Sequence, residues 1–435
     1  MHGKESGITE TKTQSLRREC EEMNEAVKKK ISIGVEDFKE IIDKDGYFVD
    51  KTLMIKELIE SNAKVTLFTR PRRFGKTLNQ FMIRRFFEDE ITEKGEKVDN
   101  GYLFDGLKIA ECGEEILKHQ QQYPVIFMTL KSAKQPNFEM AYGALADEIY
   151  NEFMRHRYVL QSDALLPIEK ERYENLLNRR ADEKEVAKAF AFLSECLFKY
   201  HKKKAIILID EYDVPLENAY LHGFYDKMIG FIRSLFESAL KTNPYLEKGV
   251  ITGCLRISKE SVFTGLNNLA VESMLSMNYP GAFGFTEPEV KAMMEYFDRA
   301  DQYPELKKWY DGYCLGECHI YNPIAVVNLV TKGKFKSYWS ETGTYEAIVP
   351  LLNMDFEGLK TAIIEMLGGS RAEIDVSSFQ NDMVSFANRD DVLTYLIHLG
   401  YLGYDEDAEA AFVPNEEIRQ ELTKAIRRNA WDEMI

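Results

Sequence analysis

A Gly-Lys-Thr triplet at residues 75–77 is the first group in this chain that could do chemistry. It follows a short apolar run at residues 64–68 and precedes residues whose apolar positions recur at helical spacing. In a strand–loop–helix unit, backbone N–H groups and the helix N-terminus point at a phosphate. Lys76 would reach the outer phosphates of a nucleotide, and the Thr77 hydroxyl would bind Mg²⁺. The motif differs from the common form at Arg70, where glycine is usual.

Two adjacent acids, Asp210 and Glu211, form a second candidate group. They follow the apolar run 205–209, which is typical of a parallel strand covered on both faces. The carboxyl end of such a strand is where ligands bind in open α/β sheets. Asp210 could hold Mg²⁺ through water, and Glu211 could polarise an attacking water. Taken alone, the pair is better explained by a strand that stops at a charged turn, but its order after residues 75–77 favours the catalytic interpretation.

A third candidate is Arg256, which follows a predicted strand at residues 246–254. A positive charge at the end of that strand could touch the γ-phosphate and report on hydrolysis. The alternative is a surface arginine in a loop, which position alone does not exclude.

The elements that must position these residues alternate between strand and helix over residues 33–285. The predicted strands cover 64–68, 123–130, 205–209 and 246–254, and the predicted helices cover 78–88, 138–153, 168–178, 184–203 and 224–241. This alternation predicts an α/β fold, a P-loop NTPase parallel sheet flanked by helices. Residues 33–62 read as helix, turn, helix, which could wall the base pocket of a nucleotide or serve only in packing.

The remainder of the chain predicts other architecture. Residues 1–32 read as a polar tail and exposed helix, residues 258–285 as loop-rich, and residues 286–385 as a helical segment. Residues 386–435 follow the order helix, hairpin, helix of a winged-helix module. That module holds five Lys/Arg against eleven Asp/Glu, so a structural or protein-contacting role is favoured over DNA binding.

Composition bounds the function class. The chain has 435 residues, enough for two or three domains, and a formal net charge of −16, which disfavours bulk electrostatic binding of nucleic acid. Its six cysteines are sparse and irregular, which predicts a reducing compartment and a cytoplasmic protein. Cys314, Cys318 and His319 permit a zinc interpretation, but no second ligand pair lies near them in sequence. No signal peptide or apolar run long enough to span a bilayer is found.

Eight segments together resemble one family. They are residues 47–52 (YFVDKT), 70–78 (RPRRFGKTL), 209–213 (IDEYD), 256–261 (RISKES), 309–313 (WYDGY), 321–323 (YNP), 338–339 (YW) and 413–419 (VPNEEIR). The resemblance is to the bacterial AAA-ATPase-like family, P-loop ATPases often fused to a C-terminal restriction-like nuclease domain. It extends from about residue 33 to residue 427.

The resemblance implies that arginine at position 70 is usual and that Asp210 and Glu211 are the acidic Walker B pair. It implies that Arg256 is placed like the arginine after the sensor strand of signalling ATPases. The family's nuclease domain would follow Arg419, and no convincing Asp and Glu-x-Lys set occurs in the last hundred residues. A nuclease-less or truncated member is therefore expected.

The resulting hypothesis is an ATP- and Mg²⁺-dependent switch with low turnover. The predicted catalytic residues are Lys76, Glu211 and Arg256; the predicted nucleotide-binding residues are Arg70, Arg72, Arg73, Phe74, Gly75, Lys76, Thr77 and Leu78; the predicted metal ligands are Thr77 and Asp210. The alternatives are a non-hydrolysing nucleotide-binding scaffold and a DNA-associated ATPase of a nuclease system that uses Arg70, Arg72, Arg73, Arg84 and Arg85. A protein partner or a second copy would bind through the C-terminal part, and no membrane contact is expected.

Overall fold

The computed structural model describes residues 28–428, apart from residues 256, 258–261, 264–265, 267–268, 277, 316–317, 340–344, 378 and 380–385. Its strands are β1 (Val65–Thr69), β2 (Val125–Thr129), β3 (Ala205–Asp210), β4 (Leu246–Gly253), β5 (Leu269–Glu272), β6 (Phe285–Thr286), β7 (Tyr313–Leu315), β8 (Cys318–Tyr321), β9 (Ala372–Glu373), β10 (Gly403–Asp405) and β11 (Ala410–Phe412). Its α-helices are α1 (Phe38–Asp43), α2 (Leu53–Glu60), α3 (Lys76–Phe87), α4 (Glu114–Leu117), α5 (Phe138–Arg155), α6 (Pro167–Leu177), α7 (Glu183–Val186), α8 (Ala189–His201), α9 (Val214–His222), α10 (Tyr225–Phe236), α11 (Glu287–Tyr296), α12 (Tyr303–Tyr310), α13 (Pro323–Lys332), α14 (Tyr345–Leu352), α15 (Leu359–Leu367), α16 (Arg389–Leu399) and α17 (Glu416–Arg428).

The centre of the fold is a parallel sheet of five strands in the order β2-β3-β4-β1-β5. Strands β1 and β3 are buried along their whole length. Helices pack against the sheet, so β3 is a continuous apolar run up to Asp210 and β1 shows no alternation of buried and exposed residues. The predicted α/β class, with a parallel sheet flanked by helices, is confirmed.

The strand order decides which residues can meet. All five strands are parallel, so their carboxyl ends form one rim of the sheet. Strand β4 lies between β1 and β3, which are not direct neighbours. The loop after β1, the acid that ends β3 and the last residues of β4 therefore share that rim, which is where ligands bind in open α/β sheets.

One strand of the sheet was not predicted. Residues 258–285 read as loop-rich in the sequence, but β5 lies within them and pairs with β1 in the register Val65↔Leu269 to Phe68↔Glu272. The strand has four residues and ends in a charged one, so its apolar signal is too short to stand out.

Residues 286–385 were predicted to be mostly helical, and this was only partly right. Helices α11 to α15 are present, but β7 and β8 form an antiparallel hairpin that β6 extends to three strands. Cys314 lies opposite His319 in this hairpin, and Cys318 lies opposite Leu315. Within the described residues, no group of three His, Cys, Asp or Glu side chains is arranged to hold a metal ion.

The C-terminal part follows the predicted order of helix α16, hairpin β10–β11 and helix α17. A third short strand, β9, pairs with β11 and precedes this unit in the chain. The winged-helix assignment itself stays a prediction. Buried residues of this part belong to the same continuous apolar core as the sheet, so the proposed boundaries at residues 285 and 385 also stay predictions.

The predicted polar tail lies mostly outside the described residues, which begin at residue 28. Residues 31–36 follow as an irregular segment that reaches the rim of the sheet. Of the helices that the structure describes, none has both the length and the apolar character needed to cross a membrane.

Candidate functional site

The loop between β1 and α3 begins where Arg70 N–H bonds to the carbonyl of Gly253, 3.1 Å away on β4. Helix α3 begins at Lys76, with Gly75 preceding it in a left-handed conformation at φ 84°. Glycine adopts this conformation without a steric penalty. Arg73 also has a positive φ of 69°, which disfavours a residue with a Cβ atom and must be held by its surroundings.

Thr77 and Asp210 meet directly at the rim. The Thr77 hydroxyl donates to Asp210 Oδ2 at 2.7 Å. The other carboxylate oxygen, Oδ1, accepts a short hydrogen bond from the hydroxyl of Thr252 at the end of β4. Gln80 Nε2 lies 3.2 Å from that same hydroxyl and supports it from α3. Two hydroxyls and a carboxylate from α3, β3 and β4 thus converge at the rim.

Lys76 is folded back onto its own loop. Its Nζ donates to the carbonyl oxygens of Arg70 and Pro71, at 2.9 Å each, and lies 3.4 Å from Cys254 Sγ. Its side chain is buried against the loop, and Lys76 lines a large cavity. A cation held by neutral carbonyl oxygens keeps its full charge available for an anion that enters this cavity.

Glu211 follows Asp210 at the rim and lines the same cavity. Burial raises the pKa of its carboxyl above the usual value, and Lys76 opposes that shift. Its backbone is left-handed, at φ 53°. A carboxyl with a raised pKa and a strained backbone in a cavity is typical of a group that handles protons.

The turn after β4 is fixed from the segment that follows Glu211. The Asp213 carboxylate accepts the backbone N–H groups of Cys254 and Leu255, both at 2.8 Å. Burial raises the pKa of Asp213, while these donors favour its charged form. The Tyr212 hydroxyl donates to the carbonyl of Leu255 at 2.7 Å. Arg256, the next residue and a predicted catalytic group, lies outside the described residues.

The three loop arginines point in different directions. Arg70 is fully buried and donates to the carbonyl of Glu272 on β5 at 2.8 Å, so the structure does not bring its side chain to the cavity. Arg72 lines the cavity and pairs with Glu217 on α9 at 2.8 Å. Although burial disfavours its charge, Glu217 raises the pKa of Arg72. Arg73 donates to the backbone carbonyls of Tyr338 and Trp339, between α13 and α14.

The remaining predicted nucleotide-binding residues are Phe74, Gly75 and Leu78, and all three line the cavity. Phe74 is buried, and its carbonyl accepts the N–H of Gly284 at 3.0 Å. These contacts fix the apex of the loop against the segment that leads into β6.

The basic cluster proposed for DNA contact is not a single surface. Arg84 pairs with Glu88 at 2.7 Å, and Arg85 pairs with Asp37 and Glu90 at 2.7 and 2.9 Å. With Arg72 also paired, these cations are neutralised by acids of the same domain. This arrangement does not present phosphate with a continuous positive patch.

The cavity has a volume of about 990 Å³ and is bounded by several parts of the chain. One wall is the loop 72–79 with Glu211, Asp213 and Cys254. A second wall comes from residues 31–36 and 47–49, which the sequence had suggested as a base-pocket wall. Side chains between residues 323 and 399 close it, including Pro323, Ile324, Met354, Phe386, Tyr395 and Leu399. The size is in the range of pockets that enclose cofactors.

The site also contains residues to which sequence reasoning gave no role. Thr252 lies within the predicted strand at residues 246–254, and its hydroxyl bonds to Asp210. Glu217, which pairs with Arg72, lies 145 residues away in sequence and had no signal. Lys51 belongs to the YFVDKT segment, lines the cavity and pairs with Glu289 at 2.5 Å. Burial lowers the pKa of Lys51, and Glu289 opposes that shift.

The donor atoms at the rim suit a hard divalent cation. Mg²⁺ prefers oxygen ligands and is usually held by one or two carboxylates together with phosphate and water. The Thr77 hydroxyl and the Asp210 carboxylate supply such oxygens, and they already lie in contact. The residues present therefore fit a magnesium–phosphate group, which Thr77 and Asp210 would hold.

Comparison with known proteins agrees with this geometry. A family model described as "Predicted AAA-ATPase" matches residues 32–263, more than half of the chain. A curated relative, described as an uncharacterized protein in the vnfD 5' region of Azotobacter chroococcum mcd 1, is 28% identical over 327 residues. The alignment covers 75% of this chain but 56% of the relative, so the chain spans little more than half the relative's length.

The matched residues contain the loop, the paired acids and the turn after β4, and they end within the segment that leads to β5. A relative that is itself uncharacterized adds no activity to this assignment. By the extent of the family match, this chain belongs to the predicted AAA-ATPase family.

Proposed function

We propose that this protein is a Mg²⁺-dependent ATP-binding and ATP-hydrolysing switch that couples its nucleotide state to its C-terminal part. Family membership indicates nucleotide binding, and hydrolysis and coupling are the further steps of the proposal. The observation that carries it is the 2.7 Å contact between Thr77 and Asp210, beside Lys76 in a cavity of about 990 Å³.

The loop supplies the phosphate contacts. Backbone N–H groups of residues 72–77 and the N-terminus of α3 would face the β- and γ-phosphates, and Lys76 would exchange its carbonyl partners for phosphate oxygens. Thr77 and Asp210 would hold Mg²⁺, which neutralises charge on the phosphates when bound. Phe74, Gly75 and Leu78 complete the wall around the phosphates.

Glu211 is the proposed base. Its carboxylate would accept a hydrogen bond from the attacking water and orient it toward the γ-phosphate. Burial raises the pKa of this carboxyl, which strengthens it as a proton acceptor near neutral pH. Arg256 stays in the proposal as a γ-phosphate sensor on its sequence position alone.

The main competing function is a scaffold that binds ATP without hydrolysing it. The presence of Glu211 in the cavity beside Lys76 favours hydrolysis, because a binding scaffold has no use for a base there. Both functions require ATP binding, but only the switch hydrolyses ATP, so measuring ATP binding and phosphate release together separates them.

The test is steady-state phosphate release together with ATP binding. Wild type should release phosphate slowly, Glu211→Gln should bind ATP but lose turnover by about a hundredfold, and Lys76→Ala should lose both. Glu247→Gln, an exposed acid near the start of β4, should match wild type. Equal phosphate release in all four proteins would refute hydrolysis, and ATP binding with no turnover in wild type would establish the scaffold.

A further inference from the structure

Arg73 of the phosphate loop bonds to the C-terminal part of the chain. One nitrogen, Nη1, donates to the carbonyl oxygens of Tyr338 at 2.8 Å and Trp339 at 3.0 Å. Both residues are buried and lie between α13 and α14. A single guanidinium therefore holds two consecutive carbonyl groups that are some 265 residues away in sequence.

Glu417 holds the same two residues from the other side. Its Oε1 accepts the backbone N–H of Tyr338 at 2.6 Å and that of Trp339 at 2.9 Å. Glu417 lies in α17 and is 1% exposed. The backbone of residues 338–339 thus lies between a cation of the loop and a carboxyl oxygen of α17. The Arg73 cation polarises the peptide groups whose carbonyls it binds, in the direction that strengthens their N–H bonds to Glu417.

The loop residues next to Arg73 also touch this part of the molecule. Pro71 packs against Gly400, where an added Cβ would come within 2.8 Å of the proline ring. The Phe74 ring lies edge-on to Tyr313 with ring centroids 5.5 Å apart. The Tyr313 hydroxyl in turn donates to the carbonyl of Gly400 at 2.6 Å. Pro71, Arg73 and Phe74 of the loop therefore all contact residues between 313 and 400.

These contacts affect the backbone conformation of the phosphate loop. Arg73 has a left-handed backbone at φ 69°, a conformation that is sterically disfavoured for a residue with a Cβ atom. Such a conformation persists only where surrounding contacts enforce it. Arg73 is followed directly by Phe74, Gly75 and Lys76, whose backbone would bind phosphate.

We propose that Arg73 and Glu417 are positioning residues that make the shape of the phosphate loop depend on the seating of helix α17. The proposal rests on the function proposed above and gives Arg73 a different role from the phosphate contact predicted by sequence. Since linkage is reciprocal, nucleotide in the loop would affect the seating of α17 as strongly as α17 affects nucleotide affinity.

The first test compares two buried acids of the same helix in the full chain. The probe is Mg²⁺-ATP carrying a fluorescent ribose label, and its Kd is measured for wild type, Glu417→Ala, Glu417→Gln and Glu421→Ala. Glu421 is 2% exposed and pairs with Lys424, so it matches Glu417 in burial without holding residues 338–339. We expect Glu417→Ala to weaken binding by about tenfold. Glu417→Gln keeps the accepting oxygen and should bind like wild type, as should Glu421→Ala.

The proposal is overturned if Glu417→Ala binds the probe like wild type, or if Glu421→Ala weakens binding equally. A second measurement decides the case where Glu417→Ala does not fold. Hydrogen exchange of the Tyr338 and Trp339 amides should speed up in Arg73→Lys, while exchange in β2 stays unchanged. Unchanged exchange at residues 338–339 would overturn the proposal. If wild type fails to bind the probe, the proposed function fails, and the exchange result alone decides whether the loop and α17 are coupled.

Discussion

Buried charges gather at both ends of the central sheet, and the two groups differ in what surrounds them. At the amino end, Arg155 forms short ion pairs with both Glu88 and Glu152 beneath β2. Arg84 also pairs with Glu88, at 2.7 Å, and His156 Nε2 lies 3.1 Å from the carbonyl of Val125. Glu88, Glu152 and Arg155 do not line the large cavity.

At the carboxyl rim, by contrast, Lys76 is held by carbonyl oxygens, and Glu211 lies in the same cavity. Charges that neutralise one another inside the protein stabilise it only as long as the whole set is intact. A cation and a titratable acid that face a cavity are instead placed for a ligand. A buried charge that is neutralised by protein partners therefore stabilises the fold, whereas a similar residue that faces a cavity is available to a ligand.

The largest expected effect is on stability at the amino end. Arg155→Leu leaves Glu88 and Glu152 as buried acids without their shared cation, so the free energy of unfolding should fall by about 3–5 kcal/mol. Urea denaturation measures this loss. Arg157→Leu, an exposed neighbour, should change the same quantity by less than about 0.5 kcal/mol. Equal losses in the two variants would show that the ion pairs of Arg155 do not stabilise the fold.

The matched change at the rim should alter binding more than stability. Lys76→Met removes a cation whose nearest partners are neutral, so the free energy of unfolding should fall by less than about 2 kcal/mol. ATP affinity, measured by calorimetry, should fall by about a hundredfold. If Lys76→Met unfolds the protein as readily as Arg155→Leu does, the distinction between the two ends is wrong.

Glu417 gives a smaller effect that depends on pH. Burial raises its pKa from 4.5 to about 7. Between these two pH values the folded state therefore holds a proton that the unfolded state has lost. The stability contributed by this group is fully present below pH 4.5 and is lost as pH rises through 7. Between pH 5 and pH 8 the free energy of unfolding of wild type should therefore fall by on the order of 2 kcal/mol relative to that of Glu417→Gln.

Unfolding of the two proteins in urea at both pH values measures that difference. Glu421→Gln removes an ion pair with Lys424 from the same helix, so this control should not gain stability at pH 8. A pH-independent difference between Glu417→Gln and wild type would contradict the assignment.

The smallest expected effect is a shift of the acid limb of the pH–rate profile to higher pH. Glu211 must be ionised to act as a base, and burial raises its pKa above the usual 4.5. Turnover should therefore fall on the acid side at a pH higher than an exposed glutamate would give. A pH profile of kcat measures the limb, and a profile still flat at pH 4.5 would exclude Glu211 as the base.

Much of this arrangement could be predicted from sequence because the signals are local. Strand β3 is a continuous apolar run and β1 a short, largely apolar one, and the residues that follow them lie at one rim because the sheet is parallel. The contact between Thr77 and Asp210 follows from that geometry and the order of the motifs.

What could not be predicted depends on contacts across long stretches of chain. The bond from Arg73 to residues 338–339 spans 265 residues, and nothing near Arg73 encodes it. Arg70 has the same residue type as Arg72, but only the position of β5 decides that one is buried and the other lines the cavity. The hairpin β7–β8 was missed because its strands have three and four residues, too few to show a period.

The most direct test of the central claim is the effect of Mg²⁺ on ATP binding to wild type and Asp210→Asn, measured by calorimetry. We expect Mg²⁺ to tighten ATP binding to wild type by about tenfold and to give little gain in Asp210→Asn, because Asp210 and Thr77 are the proposed protein ligands. Binding in EDTA should be similar for both proteins. If Asp210→Asn keeps the full gain from Mg²⁺, the rim of the sheet is not the magnesium–nucleotide site.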